Sequence, residues 1–120
     1  MTQGESPPTF ELKVVREVAV VEIQARELRH PPEAMQFGED LALALEAGGH
    51  KRVLIDFTKN DYLCSTAFAV VLNLAKDLQE SGGMLKLCCL HPDVLRGANI
   101  IGLGRVVEIY DDERDALKSF

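Results

Sequence analysis

Arg52-Val-Leu-Ile-Asp-Phe57 is a short, nearly continuous apolar run, and an amphipathic segment from Ser65 to Ser81 follows it. A run with apolar residues at both odd and even positions belongs to a strand buried on both faces, as inside a parallel sheet. In the segment after it, Phe68, Val71, Leu72, Ala75 and Leu78 recur at helical spacing, while Asn73, Lys76, Asp77 and Glu80 take the opposite side. Gly82-Gly83 caps that helix, because glycine accepts the left-handed backbone of a helix end. Met84-Leu-Lys-Leu-Cys-Cys-Leu90 then reads as a second strand. Strands joined through a helix pair in parallel with a right-handed crossover. The fold class is α/β.

On the N-terminal side, residues 1–8 carry Pro7-Pro8 and read as a tail. Phe10, Leu12 and Val14 alternate with Glu11, Lys13 and Val15, and Val18-Ala-Val-Val-Glu-Ile23 resumes after Arg16-Glu17. Two such runs around a charged pair form an opening hairpin, here without the usual Gly or Asn in its turn. His30-Pro31-Pro32 starts a helix whose apolar face is Ala34, Phe37, Leu41 and Leu45. Gly38 interrupts it and Gly48-Gly49 ends it. On the C-terminal side, His91-Pro92-Asp93 opens a short helix expected to turn Val94, Leu95, Ala98 and Ile101 inward before Gly102. Val106 to Tyr110 is the last strand, and Asp111-Asp112-Glu113 places negative charge at the positive end of a final helix with Ala116, Leu117 and Phe120 on its apolar side. The order is ββαβαβαβα: one domain over 9–120, with a mixed, mostly parallel sheet of about five strands and four helices. Val53, Ile55, Phe68, Leu72, Leu87 and Leu103 are the expected core.

A chain of 120 residues, 47% of them apolar, is one globular domain able to bury a core without staples. Thirteen basic against nineteen acidic side chains leave a net charge of −6, which repels phosphate backbones and excludes nucleic acid as a partner class. Five Phe, two Tyr and no Trp also offer little for stacking bases. The N-terminus has no basic start followed by an apolar stretch, and the longest apolar run, Ala67 to Leu72, is too short to insert into a membrane. Cys64, Cys88 and Cys89 form no CxxC pair. Free thiols in a reducing, cytoplasmic setting are the expectation, with the adjacent Cys88 and Cys89 pointing to opposite sides of their strand. No apolar stripe on the sequence demands a dimer.

His30, His50 and His91 lack metal-ligand spacing to one another or to a cysteine, so neither a metal nor a cofactor is expected. Gly102-Leu-Gly104 precedes a strand instead of opening a helix and is a cap and turn, not a phosphate cradle. Ser65 lacks a nucleophile elbow, and no base stands beside it or Cys64 in the sequence. The informative place is Leu63-Cys64-Ser65-Thr66-Ala67. Ser65 is expected as the N-cap of its helix, a role worth about 1 kcal/mol. The same position suits a phosphate, which would meet unpaired N–H groups and the positive dipole end while adding negative charge to the surface.

From about Phe10 to Leu117 the chain resembles the STAS domain, the fold of bacterial anti-sigma factor antagonists. Val53-Leu-Ile-Asp-Phe57 is similar to the family's third strand, and Tyr62-Leu63-Cys64-Ser65-Thr66-Ala67 stands where the family usually has Asp-Ser-Ser/Thr-Gly. Gly82-Gly83-Met-Leu-Lys-Leu87 resembles its glycine-capped helix and next strand, and Gly102 to Ala116 its closing strand and helix. The resemblance implies a regulatory module that binds a kinase-type anti-sigma factor and is released when that kinase phosphorylates Ser65, with Thr66 as its neighbour. Cys64 replaces the family's aspartate and Ala67 its glycine, while Ala25-Arg26-Glu27-Leu28-Arg29 ends in arginine where the family often has Gly-Glu-Leu-Asp.

Three classes of function remain open at this point. A regulatory module would use Arg29, Cys64, Ser65 and Thr66 together with Asn73 and Lys76 on the outer face of the following helix. A stressosome-like scaffold, or an accessory subunit of an ATP-driven lipid transporter, would bind through the same fold without phosphorylation. An enzyme would need a base beside Cys64 or Ser65, and the sequence provides none. The regulatory, non-enzymatic reading accounts for most of these features.

Overall fold

The two N-terminal runs close as the hairpin expected of them: β1 (Phe10–Val15) pairs antiparallel with β2 (Val18–Ile23), and Val15 faces Val18 across the turn. The turn residues Arg16 and Glu17 have φ of 53° and 68°, the positive pair that a two-residue hairpin turn matched to strand twist requires. Neither is a glycine, so six paired positions hold a turn that costs local backbone energy. The computed structural model describes residues 8–120; apart from Pro8, the segment read as a tail lies outside the described residues.

After β3 (Glu27–Leu28) come α1 (Pro31–Ala47), β4 (Arg52–Asp56), β5 (Tyr62–Leu63) and α2 (Ser65–Glu80). The chain continues through β6 (Met84–Cys88), α3 (Pro92–Ile100), a 3-10 turn at Leu103–Arg105, β7 (Glu108–Tyr110) and α4 (Glu113–Lys118). The five-stranded sheet has the order β1-β2-β4-β6-β7, antiparallel only at the hairpin, so the mixed, mostly parallel sheet and four helices stand as expected. β3 and β5 form a separate parallel pair that propensity did not reveal, because two residues are too short to carry a period.

Alternation along the central strands divides the molecule into layers. Ala19, Val21, Ile23, Val53, Ile55, Phe57, Leu85 and Leu87 face α1, α2 and α3 and build the main core. Val18, Val20, Leu54 and Cys88 face α4 and meet Ala116, Leu117 and Phe120. Lys86 also points to the α4 side and is buried; its amine donates to the Ser119 carbonyl and hydroxyl, both at 2.8 Å, and lies 3.2 Å from Glu108.

Several sequence expectations shift by one helical position. Val53, Ile55, Leu87 and Leu103 are buried, but Phe68 and Leu72 are only partly so; the innermost residues of α2 are Ala67, Val71, Ala75 and Leu78. α2 packs against α1 through a close approach at Gly38, where an added Cβ would stand 2.9 Å from Val70 Cγ1. Gly38 is therefore a packing requirement and not a flaw in α1. In α3, Val94 and Ala98 turn inward while Leu95 and Ile101 remain 36% and 49% exposed, contrary to expectation. The helix ends at Ile100, before Ile101 can continue the face.

Candidate functional site

The segment around Ser65 is held by the small β3–β5 sheet. The Cys64 amide donates to the Leu28 carbonyl at 2.8 Å, and the Asp61 amide donates to the Arg26 carbonyl at 2.8 Å. Buried Asn60 locks the loop before β5: its Nδ2 donates to the carbonyls of Ala25 at 3.0 Å and Tyr62 at 3.2 Å. These bonds position Cys64, in extended conformation, as the N-cap of α2. Ser65 is consequently the first helical residue and not the cap, and the cap makes no side-chain hydrogen bond. The one-residue shift comes from the Leu28–Leu63 register, which keeps Cys64 extended.

Ser65 is exposed and Thr66 is half-buried beneath it. The first intrahelical bond of α2 runs from the Phe68 amide to the Cys64 carbonyl at 3.1 Å, so the amides of Ser65, Thr66 and Ala67 form the open N-terminal end of the helix. Cys64 is half-buried against the main core and fills space there. Arg29, one residue beyond the β3 register, lies over the Tyr62 ring with its guanidinium carbon 4.4 Å from the centroid, and its Nε is 3.1 Å from Glu27 Oε1. Arg26 pairs with Asp61 at 2.8 Å beside it. The Glu27 carboxyl is held below its ordinary range by the Arg29 hydrogen bond.

Arg29, Cys64, Ser65 and Thr66 thus meet at one end of α2. Asn73 and Lys76 are exposed farther along the helix, about 12 and 16 Å from Ser65 by helical rise. Asn73 borders a shallow groove between α1 and α2 with Met35 and Val70. The sequence reading missed Tyr62 and Asp61, whose roles depend on β3 lying beside β5.

A second cluster lies on the α4 face. Asp56 and Cys88 are neighbours in the β4–β6 register, and the ligating atoms of Asp56, Cys88 and Cys89 lie within 4.8 Å of one another. Cys89 was expected on the opposite side from Cys88. Its φ of 63° instead turns it back, so both thiols meet the same apolar layer. Burial raises the Cys88 thiol pKa far above its usual value, and the Asp56 carboxylate adds to the effect. Burial also opposes ionisation of Asp56, but bonds from Glu113, Thr58 and Cys89 outweigh it and hold that carboxyl below its ordinary range. The Glu113 carboxyl is raised above its ordinary range by its hydrogen bond with Asp56, with burial adding and Lys13 opposing.

The STAS domain family profile matches residues 10–116, nearly the whole described chain. The chain belongs to the STAS domain family and is of the anti-sigma factor antagonist type. This STAS domain is 32% identical over 87 residues to a protein of Bordetella bronchiseptica named as an anti-sigma factor antagonist, BtrV, covering 72% of this chain and 74% of that one. Its fold matches an anti-sigma factor antagonist domain protein of Planctomyces limnophilus with a TM-score of 0.82 at 21% identity, covering 95% and 98% of the two chains. It also matches the anti-sigma factor antagonist SpoIIAA in its unphosphorylated form, with a TM-score of 0.75 at 23% identity, covering 92% and 94%. The phosphorylated form of SpoIIAA, from Bacillus, matches with a TM-score of 0.69 at 22% identity over 92% and 97%. Among the described residues, no helix is long and apolar enough to cross a membrane.

Proposed function

We propose that this STAS domain is a cytoplasmic, non-enzymatic regulatory module that binds a kinase-type anti-sigma factor and is switched by phosphorylation at Ser65. The observation that carries the reading is the placement of Ser65: exposed, in the first turn of α2, beside the Arg29–Tyr62 pair. A phosphate there would be met by the open amides of the helix end and its positive dipole, so the fold accepts the charge. A partner shaped to a neutral hydroxyl would have to desolvate that charge, and affinity falls. Exposure favours Ser65 over half-buried Thr66 as the modified residue. The partner surface comprises Arg29, Cys64, Ser65 and Thr66, extended by Asn73 and Lys76, and needs no cofactor.

The test combines melting curves with partner binding in the presence and absence of ATP. Ser65→Asp is expected to melt within a few degrees of the unaltered protein yet to lose about tenfold in affinity, ~1.4 kcal/mol. Ser65→Ala is expected to bind and to resist phosphorylation. If Ser65→Asp binds undiminished and ATP changes nothing, the domain is a constitutive binder of the scaffold or transporter-subunit kind.

A further inference from the structure

We propose that Asp56, Cys88, Cys89 and Glu113 form a binding site for a soft divalent cation of the zinc class, on the sheet face opposite α2. The site is assembled by the fold. Asp56 ends β4 and Cys88 ends β6, directly paired at the carboxyl edge of adjacent parallel strands. Cys89 returns to the same side through its positive φ, and Glu113, at the start of α4, approaches Asp56 from the facing layer. Asp56 and Cys88 are 4% and 0% exposed, so the donors are not an ordinary solvated acidic patch.

The donor set selects the ion. Two sulfurs with carboxylate oxygens suit a tetrahedral zinc-class ion and are a poor match for magnesium or calcium, which take oxygen alone. With metal–sulfur bonds of about 2.3 Å, two ligand atoms on a tetrahedron stand roughly 3.7 Å apart. The Asp56, Cys88 and Cys89 donors, within 4.8 Å of one another, need to close by only about an ångström to meet that geometry, and Glu113 lies outside that group. Each thiol releases its proton to solvent as its metal–sulfur bond forms, and Asp56 binds as carboxylate. Glu113 supplies the fourth position and, being half-buried, marks the side from which the ion enters. Lys13, 3.7 Å from Glu113, offsets part of the excess negative charge.

The experiment uses the full chain, stripped of metal with a chelator and kept reduced with a phosphine. Titration with Cd²⁺ is expected to reach one equivalent with an ultraviolet thiolate-to-metal charge-transfer band and a rise in melting temperature. Asp56→Asn is expected to weaken binding by about tenfold to a hundredfold, Cys89→Ser to abolish the band, and Cys64→Ser to leave the band and its one-equivalent endpoint in place. A measurement on the unaltered chain guards against variants that fail to fold: one equivalent of Zn²⁺ should slow alkylation of Cys89 by about tenfold or more while leaving Cys64 unaffected. Absence of the band at one equivalent, its persistence in folded Cys89→Ser, or equal protection of Cys64 would overturn the proposal. None of these outcomes depends on phosphorylation of Ser65.

Discussion

The Arg29 guanidinium lies 4.4 Å above the ring of Tyr62, joining β3 to β5 at the edge of the surface that carries Ser65. Tyr62 is 38% exposed and Arg29 is in contact with solvent, so this pair contributes little to the fold. Arg29→Ala should therefore melt within a few degrees of the unaltered protein. If Arg29 is part of the partner surface, the same variant should lose about tenfold in partner affinity by titration calorimetry. Unchanged affinity would remove Arg29 from that surface.

The division of α2 into buried and half-buried positions can be tested against α1 with identical chemistry. Leu41 is 1% exposed in the main core, whereas Leu72 only packs against that core. Leu41→Ala should cost about 3–5 kcal/mol in denaturant unfolding, and Leu72→Ala less than about 2 kcal/mol. Equal losses would mean that Leu72 faces the core as directly as Val71 does.

Lys86 ties the C-terminal helix to the sheet. Its amine donates two bonds to Ser119 and lies 4.8 Å from the Phe120 ring centroid and 5.7 Å from that of Tyr110. Lys86→Ala removes a buried charged donor from the half-buried Ser119, at an expected cost of about 2–3 kcal/mol. Hydrogen exchange should localise the damage to α4, leaving α1 and α2 protected. A global loss of protection without preferential opening of α4 would contradict this anchoring role.

The Asp56–Glu113 pair predicts a pH signature in the metal-free protein. Glu113 is raised chiefly by its hydrogen bond with Asp56, so the stability it contributes is present at acid pH and lost as pH rises through its folded value. Asp56 is lowered, so its contribution is present above the ordinary aspartate range and lost only as pH falls through its folded value. Glu113→Gln removes the repulsion between two carboxylates. The melting temperature of the unaltered protein minus that of Glu113→Gln should accordingly decrease as pH rises from the acid range towards neutrality. A difference that stays constant across that range would show that the two carboxyls do not interact in the folded protein.

The sequence by itself determined the order of the five main-sheet strands and the four helices, the mixed sheet and the breaks between them, but not the short β3 and β5. Each of these follows from a local period or a local backbone preference. Arg52 to Phe57 reads as an interior strand and Ser65 to Ser81 as an amphipathic helix, and the structure has them at Arg52–Asp56 and Ser65–Glu80. Tertiary structure decided what those elements bring together. The apolar stripe of α2 was wide enough to face inward about Phe68 and Leu72 or about Ala67 and Val71, and the close approach at Gly38 to Val70 selected the second. Ser65 moved from cap to first helical residue because Leu28 pairs with Leu63, a contact between segments far apart in the chain. Cys88 and Cys89 share a face because one residue takes a positive φ, and Asp56 joins them through strand register. Periodicity reports only which side of its own element a residue occupies; side-chain meetings between elements depend on register, crossover and single backbone angles, which no local pattern encodes.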